Sequence, residues 1–114
     1  QLAVKYYEDS LERQKKVHGS RPNPEMASTL NNFANTCIDL GDCSKAIDLL
    51  HAALWHYREC YGESHPSIAG SLANLGKAFS GLGDFTKAAE QFTLALPIYE
   101  RFYLDRNHPN IAAI

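Results

Sequence analysis

The sequence has no long hydrophobic run, no secretory pattern and only three cysteines among its 114 residues. No apolar stretch approaches the roughly 20 residues that cross a bilayer, so we expect no membrane insertion. Cys37, Cys43 and Cys60 are odd in number and lack CxxC spacing, which argues against a disulfide framework. Free thiols of this kind favour a reducing compartment, and we therefore expect a cytoplasmic location.

An excess of either charge is also missing. The chain carries 11 basic and 13 acidic residues, for a formal net charge of −2. A phosphate backbone or an anionic membrane surface requires a basic footprint that this balance does not supply, so we expect no nucleic-acid partner. The hydrophobic content of 45% is ordinary for a folded globular chain.

What the chain does contain is nearly the same segment twice. Four pairs of residues lie 42 positions apart: Pro24 and Pro66, Gly41 and Gly83, Ala46 and Ala88, Leu54 and Leu96. The residue pattern of Ala46–Gly62 occurs once more at Ala3–Gly19. The pattern that begins at His65-Pro66 begins again at His108-Pro109. A fixed period of this length predicts a stacked array, whose function is usually to hold other molecules.

Within each copy the apolar residues recur every three to four positions, which predicts helices and no strand. Pro24 and Pro66 suit the first turn of a helix, and Gly41 and Gly83 suit a left-handed residue at its end. We expect Pro97 to kink the helix that contains it. The predicted helices span about 1–18, 24–40, 43–61, 66–81 and 85–103, with the start of another at 109.

The predicted architecture is all-α: an α-solenoid of stacked antiparallel helix pairs. It forms a single array in which 1–19 is the second helix of a preceding repeat, 24–62 and 66–104 are full repeats, and 109–114 starts the next. Stacking buries the apolar faces, so Leu72→Ala or Phe92→Ala should each cost about 2–5 kcal/mol.

The period alone favours a HEAT or armadillo array, but the internal motifs differ from those families. Leu30-Asn31-Asn32-Phe33-Ala34-Asn35, Leu40-Gly41-Asp42, Ala46, Leu50 and Ala53-Leu54 resemble the tetratricopeptide pattern, as do Leu72-Ala73-Asn74-Leu75-Gly76 and Leu82-Gly83-Asp84. The junction Gly62-Glu63-Ser64-His65-Pro66-Ser67-Ile68-Ala69 is similar to that of the 42-residue kinesin light chain type and its relatives. Departures are Arg21-Pro22-Asn23-Pro24 at the first junction and Leu104 in place of the last glycine.

This resemblance implies a concave groove lined by the first helix of each repeat, which receives a peptide. Matched position by position, the groove residues are Ser28, Asn31, Asn32, Asn35 and Ile38 in one copy and Gly70, Ala73, Asn74, Lys77 and Ser80 in the next. Asn32 and Asn74 have two open interpretations: contact with a peptide, or bracing of neighbouring helices. Lys77 is a single cation, too few for a carboxylate clamp, whereas resemblance to kinesin light chain implies ligands with a Trp flanked by acidic residues.

No motif indicates an enzyme, so we expect no catalytic residue, cofactor or metal. His51, His56 and Cys60 resemble part of a metal site, but a fourth ligand is missing. His65 and His108 precede prolines, where we expect capping. Ser10, Ser71 and Ser80 lack a nucleophile elbow, and Gly81-Leu82-Gly83-Asp84 has the sequence of a helix-ending turn.

The sequence therefore predicts a non-enzymatic scaffold or adaptor module that binds a peptide segment of a partner protein. Two alternatives stay open. The array is a structural spacer or self-association module, forming a homo-oligomer through exposed terminal helices, or it is a regulatory array attached to a nucleotide-binding switch protein.

Overall fold

A computed structural model describes residues 1–113, with side chains through Leu104, and contains no strand in that range. Its helices are α1 (Leu2–His18), α2 (Pro24–Asp39), α3 (Cys43–Tyr61), α4 (Pro66–Gly81) and α5 (Phe85–Ala113). The all-α prediction is confirmed, and the predicted bounds of the first four helices hold to within a residue or so. Within this range, no helix combines the length and apolar character that a membrane span requires.

Two helices, α2 and α4, begin with a polar cap followed by proline. The Oδ1 atom of Asn23 accepts hydrogen bonds from the backbone N–H groups of Glu25 and Met26, at 2.7 and 3.1 Å. At α4, the Nδ1 atom of His65 accepts from the N–H of Ser67 at 3.1 Å, which confirms its predicted capping role. Because the first N–H groups of a helix have no partner within it, these caps fix where both helices start.

Each helix pair is joined by a tight turn with a left-handed glycine. Gly41 has a φ of 86° and Gly83 a φ of 81°, as predicted for both positions. The next residue, Asp42 or Asp84, caps the following helix by accepting from the N–H of Lys45 or Lys87. A connection this short turns the chain back on itself, so α2–α3 and α4–α5 form antiparallel hairpins.

The prediction that the last helix ends near residue 103 is wrong, because α5 continues to Ala113. Gly62, with a φ of 81°, ends the equivalent helix α3. Leu104 stands at that register position, and a side chain there disfavours the left-handed conformation that stops a helix. The helix also passes through Pro97. The kink at Pro97 and the assignment of residues 109–114 to a further repeat stay predictions.

The helices form two layers. The hairpins α2–α3 and α4–α5 pack against each other, α1 packs on α2, and α2 also meets α4. Among the described residues, the backbones of α1, α3 and α5 do not approach one another. The smallest dimension of the molecule, 22 Å, equals about two helix diameters. Because α2 and α4 are close while the other layer is spread, α2 and α4 form the inner side of a curved array.

The core lies between these layers and mixes large and small side chains. Phe33, Leu50, Ile68 and Leu75 are fully buried, and they pack with alanines on neighbouring helices. Such alternation lets helices approach closely without leaving voids.

The two repeats differ in how well their second helices are covered. Leu50 and Leu54 of α3 are 0% and 2% exposed, because α4 packs over them. The equivalent residues of α5, Phe92 and Leu96, are 43% and 56% exposed. The cost expected above for Phe92→Ala is therefore too high, since a half-exposed side chain loses less burial on truncation. Leu72, 3% exposed, keeps its expected cost.

Candidate functional site

The candidate site is the surface formed by the inner-layer helices α2 and α4, which we call the inner wall. It comprises the positions predicted above from the repeat register. The structure leaves Ser28, Asn32 and Lys77 exposed, half-buries Asn31, Asn35, Ile38, Gly70, Ala73 and Ser80, and buries Asn74.

Asn31 joins the two helices of the inner wall. Its Oδ1 atom accepts two hydrogen bonds from α4, one from the Oγ of Ser71 and one from the Nδ2 of Asn74, both at 3.1 Å. Ser71 and Asn74 are buried, at 1% and 8% exposure. The carbonyl of Asn31 is thus directed at α4, and its Nδ2 group keeps two N–H donors. The orientation of this amide is fixed by the fold rather than by a ligand.

The structure shows the bracing role for Asn74 but not for Asn32, and contact with a peptide stays a prediction for both. Asn74 braces neighbouring helices through its bond to Asn31. Asn32 is exposed, and no hydrogen bond joins its side chain to another described residue. The sequence did not indicate that Asn31 would be the acceptor, because the residue at the equivalent position of the second copy is an alanine, Ala73.

The N-terminal end of the inner wall is connected to the outer layer. The hydroxyl of Tyr57, a buried residue of α3, donates to the Oγ of Ser28 at 3.3 Å. This distance is long for a hydroxyl pair, so the bond is weak. Ser28 remains exposed and keeps its own O–H as a donor.

Lys77 supplies the positive charge of the inner wall. It lies on α4 at the register position of Asn35 on α2, 42 residues earlier. Its side chain is exposed and forms no ion pair with another described residue. Lys77 on α4 and the Nδ2 group of Asn31 on α2 thus each supply hydrogen-bond donors to the inner wall.

Clefts adjoin both of these helices. Ala73 lines one of about 320 Å³ with Phe92, Leu96 and Tyr99 of α5. Another, about 500 Å³, lies between α1 and α3, with α2 beneath it. Sequence reasoning missed the second cleft, because the contact between α1 and α3 is made by side chains alone. One such contact is the ion pair of Glu8 with Lys45 at 3.7 Å.

The residues considered for a metal site do not converge. His51 and Cys60 are exposed, whereas His56 is buried and its Nδ1 atom is engaged by the backbone N–H of Asn23. Within the described residues, no three His, Cys, Asp or Glu side chains come together as metal ligands. His108 lies outside the residues whose side chains are described. The 81–84 segment is the helix-ending turn that contains Gly83.

The comparisons with known proteins agree with this geometry. No curated protein matches the chain. The family model described as Tetratricopeptide repeat matches residues 25–101, which include the inner wall and most of both hairpins. The chain belongs to the tetratricopeptide repeat family.

Proposed function

We propose that this chain binds a peptide segment of a partner protein along the inner wall and so acts as a scaffold or adaptor. Tetratricopeptide repeats generally mediate protein–protein interactions, and the family is typically non-catalytic. We also propose that the repeats are of the kinesin light chain-like type, on the basis of the 42-residue period and the Gly62–Ala69 junction.

The observation that carries the proposal is the fixed amide of Asn31. Its carbonyl is occupied by Ser71 and Asn74, which leaves N–H groups for a ligand. A donor that is already oriented loses little conformational entropy when it binds. Backbone carbonyls of an extended peptide are suitable acceptors, and an acidic side chain of the same peptide suits Lys77. We therefore propose an extended, acidic ligand segment.

The test uses peptides selected from a random phage-displayed library on the wild-type chain. Binding of a selected peptide is then measured by fluorescence polarisation with the double variant Asn35→Ala, Lys77→Glu. We expect affinity to fall by about tenfold or more, because a donor is lost and a charge is reversed. Circular dichroism should show unchanged helicity.

The matched control is Lys5→Glu, which reverses the charge of an exposed lysine on α1, a helix that is not part of the inner wall. It should bind the peptide as the wild type does. Equal affinity in the double variant and the wild type would refute recognition on the inner wall.

A second candidate function is self-association, which is supported by the exposed apolar face of α5. Phe92 and Leu96 are 43% and 56% exposed, although their equivalents in α3 are covered by a helix. A second copy of the chain could cover this face. Sedimentation at several concentrations tests this, because a dimer formed through α5 should dissociate in the variant Leu96→Lys. A wild-type chain that stays monomeric would exclude this function.

A further inference from the structure

A buried histidine holds the junction that precedes the inner wall. His56 of α3 is 8% exposed, and its Nδ1 atom accepts a hydrogen bond from the backbone N–H of Asn23 at 3.0 Å. An imidazole nitrogen accepts only when it carries no proton. The ring is therefore neutral in this arrangement, with its proton on Nε2.

The bond satisfies a group that has no other partner in the helix. Asn23 is the cap of α2, and its side chain already serves the N–H groups of Glu25 and Met26. Its own N–H lies before the first helical turn, where only a side chain, another segment or water can accept from it. His56, on another helix, supplies that acceptor and connects the start of α2 to α3.

This arrangement is specific to the first junction. The residue equivalent to Asn23 in the second copy is His65, which caps α4 by itself. The residue equivalent to His56 is Ile98, which has no acceptor in its side chain. The bond is therefore an addition to the repeat pattern rather than part of it.

The charges around His56 are balanced. The ring lines the cleft between α1 and α3, whose floor is formed by apolar side chains of α2. The charged side chains of this cleft are Glu8, Glu12 and Lys15 of α1 and Lys45 of α3. With two charges of each sign, burial is the dominant effect, and it lowers the pKa of His56 from its ordinary value of 6.5. The positive end of the α2 dipole, next to Asn23, also disfavours an imidazolium there.

We propose that the hydrogen bond between His56 and Asn23 is an acid-sensitive clasp, a contact that holds the start of α2, the first helix of the inner wall, against α3. A proton taken from solvent by Nδ1 replaces the acceptor with a donor that faces the N–H of Asn23. The hydrogen bond then breaks, and the start of α2 separates from α3. The clasp does not depend on peptide binding, so it can be tested on the free chain.

The sign of the pH effect follows from the direction of the pKa shift. Because burial lowers the pKa of His56 in the folded chain, the unfolded chain binds the proton more readily. The stabilisation by neutral His56 is complete above the pKa of this group in the unfolded chain, about 6.5. It is lost as the pH falls through the lower pKa that His56 has in the folded chain. Each unit by which folding lowers the pKa of His56 corresponds to about a tenfold change in the folding equilibrium constant.

The direct test is NMR of the wild-type chain between about pH 7.5 and about pH 4.5, a range that spans the titration of histidine. The nitrogen shifts of His56 should show the Nε2–H tautomer at neutral pH. The amide of Asn23 should titrate with the same midpoint as His56, below about 6.5. If the amide shift of Asn23 does not change as His56 titrates, or if His56 carries its proton on Nδ1 at neutral pH, the proposal is wrong.

The variant His56→Asn places a carbonyl oxygen near the position of Nδ1 and cannot be protonated in this range. The matched control is His51→Asn, an exposed histidine on the same helix. Between about pH 7.5 and about pH 5, we expect the wild type and His51→Asn to lose stability together and His56→Asn to lose less. The same pH dependence in all three would refute the proposal. The NMR titration decides the matter if His56→Asn does not fold.

Discussion

The side-chain amide of Asn74 donates a hydrogen bond to the Oδ1 atom of Asn31, at 3.1 Å, across the junction of two successive helical hairpins. The Oγ of Ser71 donates to the same oxygen. One acceptor on α2 therefore satisfies two buried donors on α4, and it also orients the amide that we propose as a ligand donor. Asn31 therefore contributes to stability, and in our proposal it also contributes to recognition.

Replacing Asn31 with alanine should destabilise the chain by about 1–3 kcal/mol, because Ser71 and Asn74 lose their acceptor inside the protein. Urea unfolding followed by circular dichroism measures this cost. The exposed neighbour Asn32 is the control, and Asn32→Ala should stay within about 0.5 kcal/mol of the wild type.

A double-mutant cycle isolates the bond itself. Asn31→Ala and Asn74→Ala should be non-additive, with a coupling free energy of about 0.5–1.5 kcal/mol. Strict additivity would mean that the two side chains do not interact in solution.

Gly76→Ala should destabilise the chain, because the new Cβ atom would lie 2.5–2.8 Å from ring atoms of Phe92. Displacing the ring costs about 1–3 kcal/mol, against a gain of about 1 kcal/mol from the helix propensity of alanine. Thermal unfolding measures the result. Gly70→Ala is the matched control on the same helix, since its Cβ would meet only the hydroxyl of Tyr99 at 4.0 Å.

Gly70→Ala should therefore leave the midpoint unchanged or raise it. If Gly76→Ala were as stable as Gly70→Ala, Phe92 would not lie against Gly76 in solution. Adding Phe92→Leu to Gly76→Ala should recover part of the loss, because the shorter side chain leaves room for the new methyl group.

Most of the fold could be predicted from the sequence because its boundaries are local. Pro24 and Pro66 mark helix starts, and Gly41 and Gly83 mark helix ends through backbone preferences that depend on single residues. The end of α5 could not be predicted in this way. Leu104 removes the local signal that Gly62 provides, and the repeat register alone does not stop a helix.

The site was predicted less completely than the fold. Register predicts that the site lies on one face of α2 and α4, but it does not predict which side chain accepts hydrogen bonds from the other helix. Asn31 has alanine as its equivalent, and His56 has isoleucine, so neither contact repeats along the chain. Such contacts between residues far apart in sequence have no periodic signal, and only the packed structure shows them.

The three thiols should differ in reactivity. Cys60 is exposed, whereas Cys37 and Cys43 are buried. Burial also raises the pKa of the Cys37 thiol, which keeps it in the unreactive protonated form to higher pH. Ellman's reagent should therefore modify one thiol per folded chain rapidly and the others slowly.

Cys60→Ser should remove the fast phase, and a denaturant should make all remaining thiols react at similar rates. A fast phase that persists in Cys60→Ser would show that the α2–α3 hairpin opens readily at Cys37 or Cys43.

Leu54→Ala and Leu96→Ala change the same residue type at equivalent repeat positions and should differ in cost. Leu54 is 2% exposed, so its replacement should lower the free energy of unfolding by about 2–5 kcal/mol. Leu96 is 56% exposed, so its replacement should lower it by less than about 1 kcal/mol. Urea unfolding at low protein concentration measures both. Similar costs would indicate that the exposed face of α5 is covered in solution, which would favour the self-association function.

Chemical-shift mapping with a library-selected peptide tests recognition by the inner wall most directly. We expect the largest amide shifts at Asn31, Asn35 and Lys77, with little change on the outer face of α3 around the half-exposed Trp55. Shifts centred on Trp55, with the amides of α2 and α4 unchanged, would contradict binding at the inner wall.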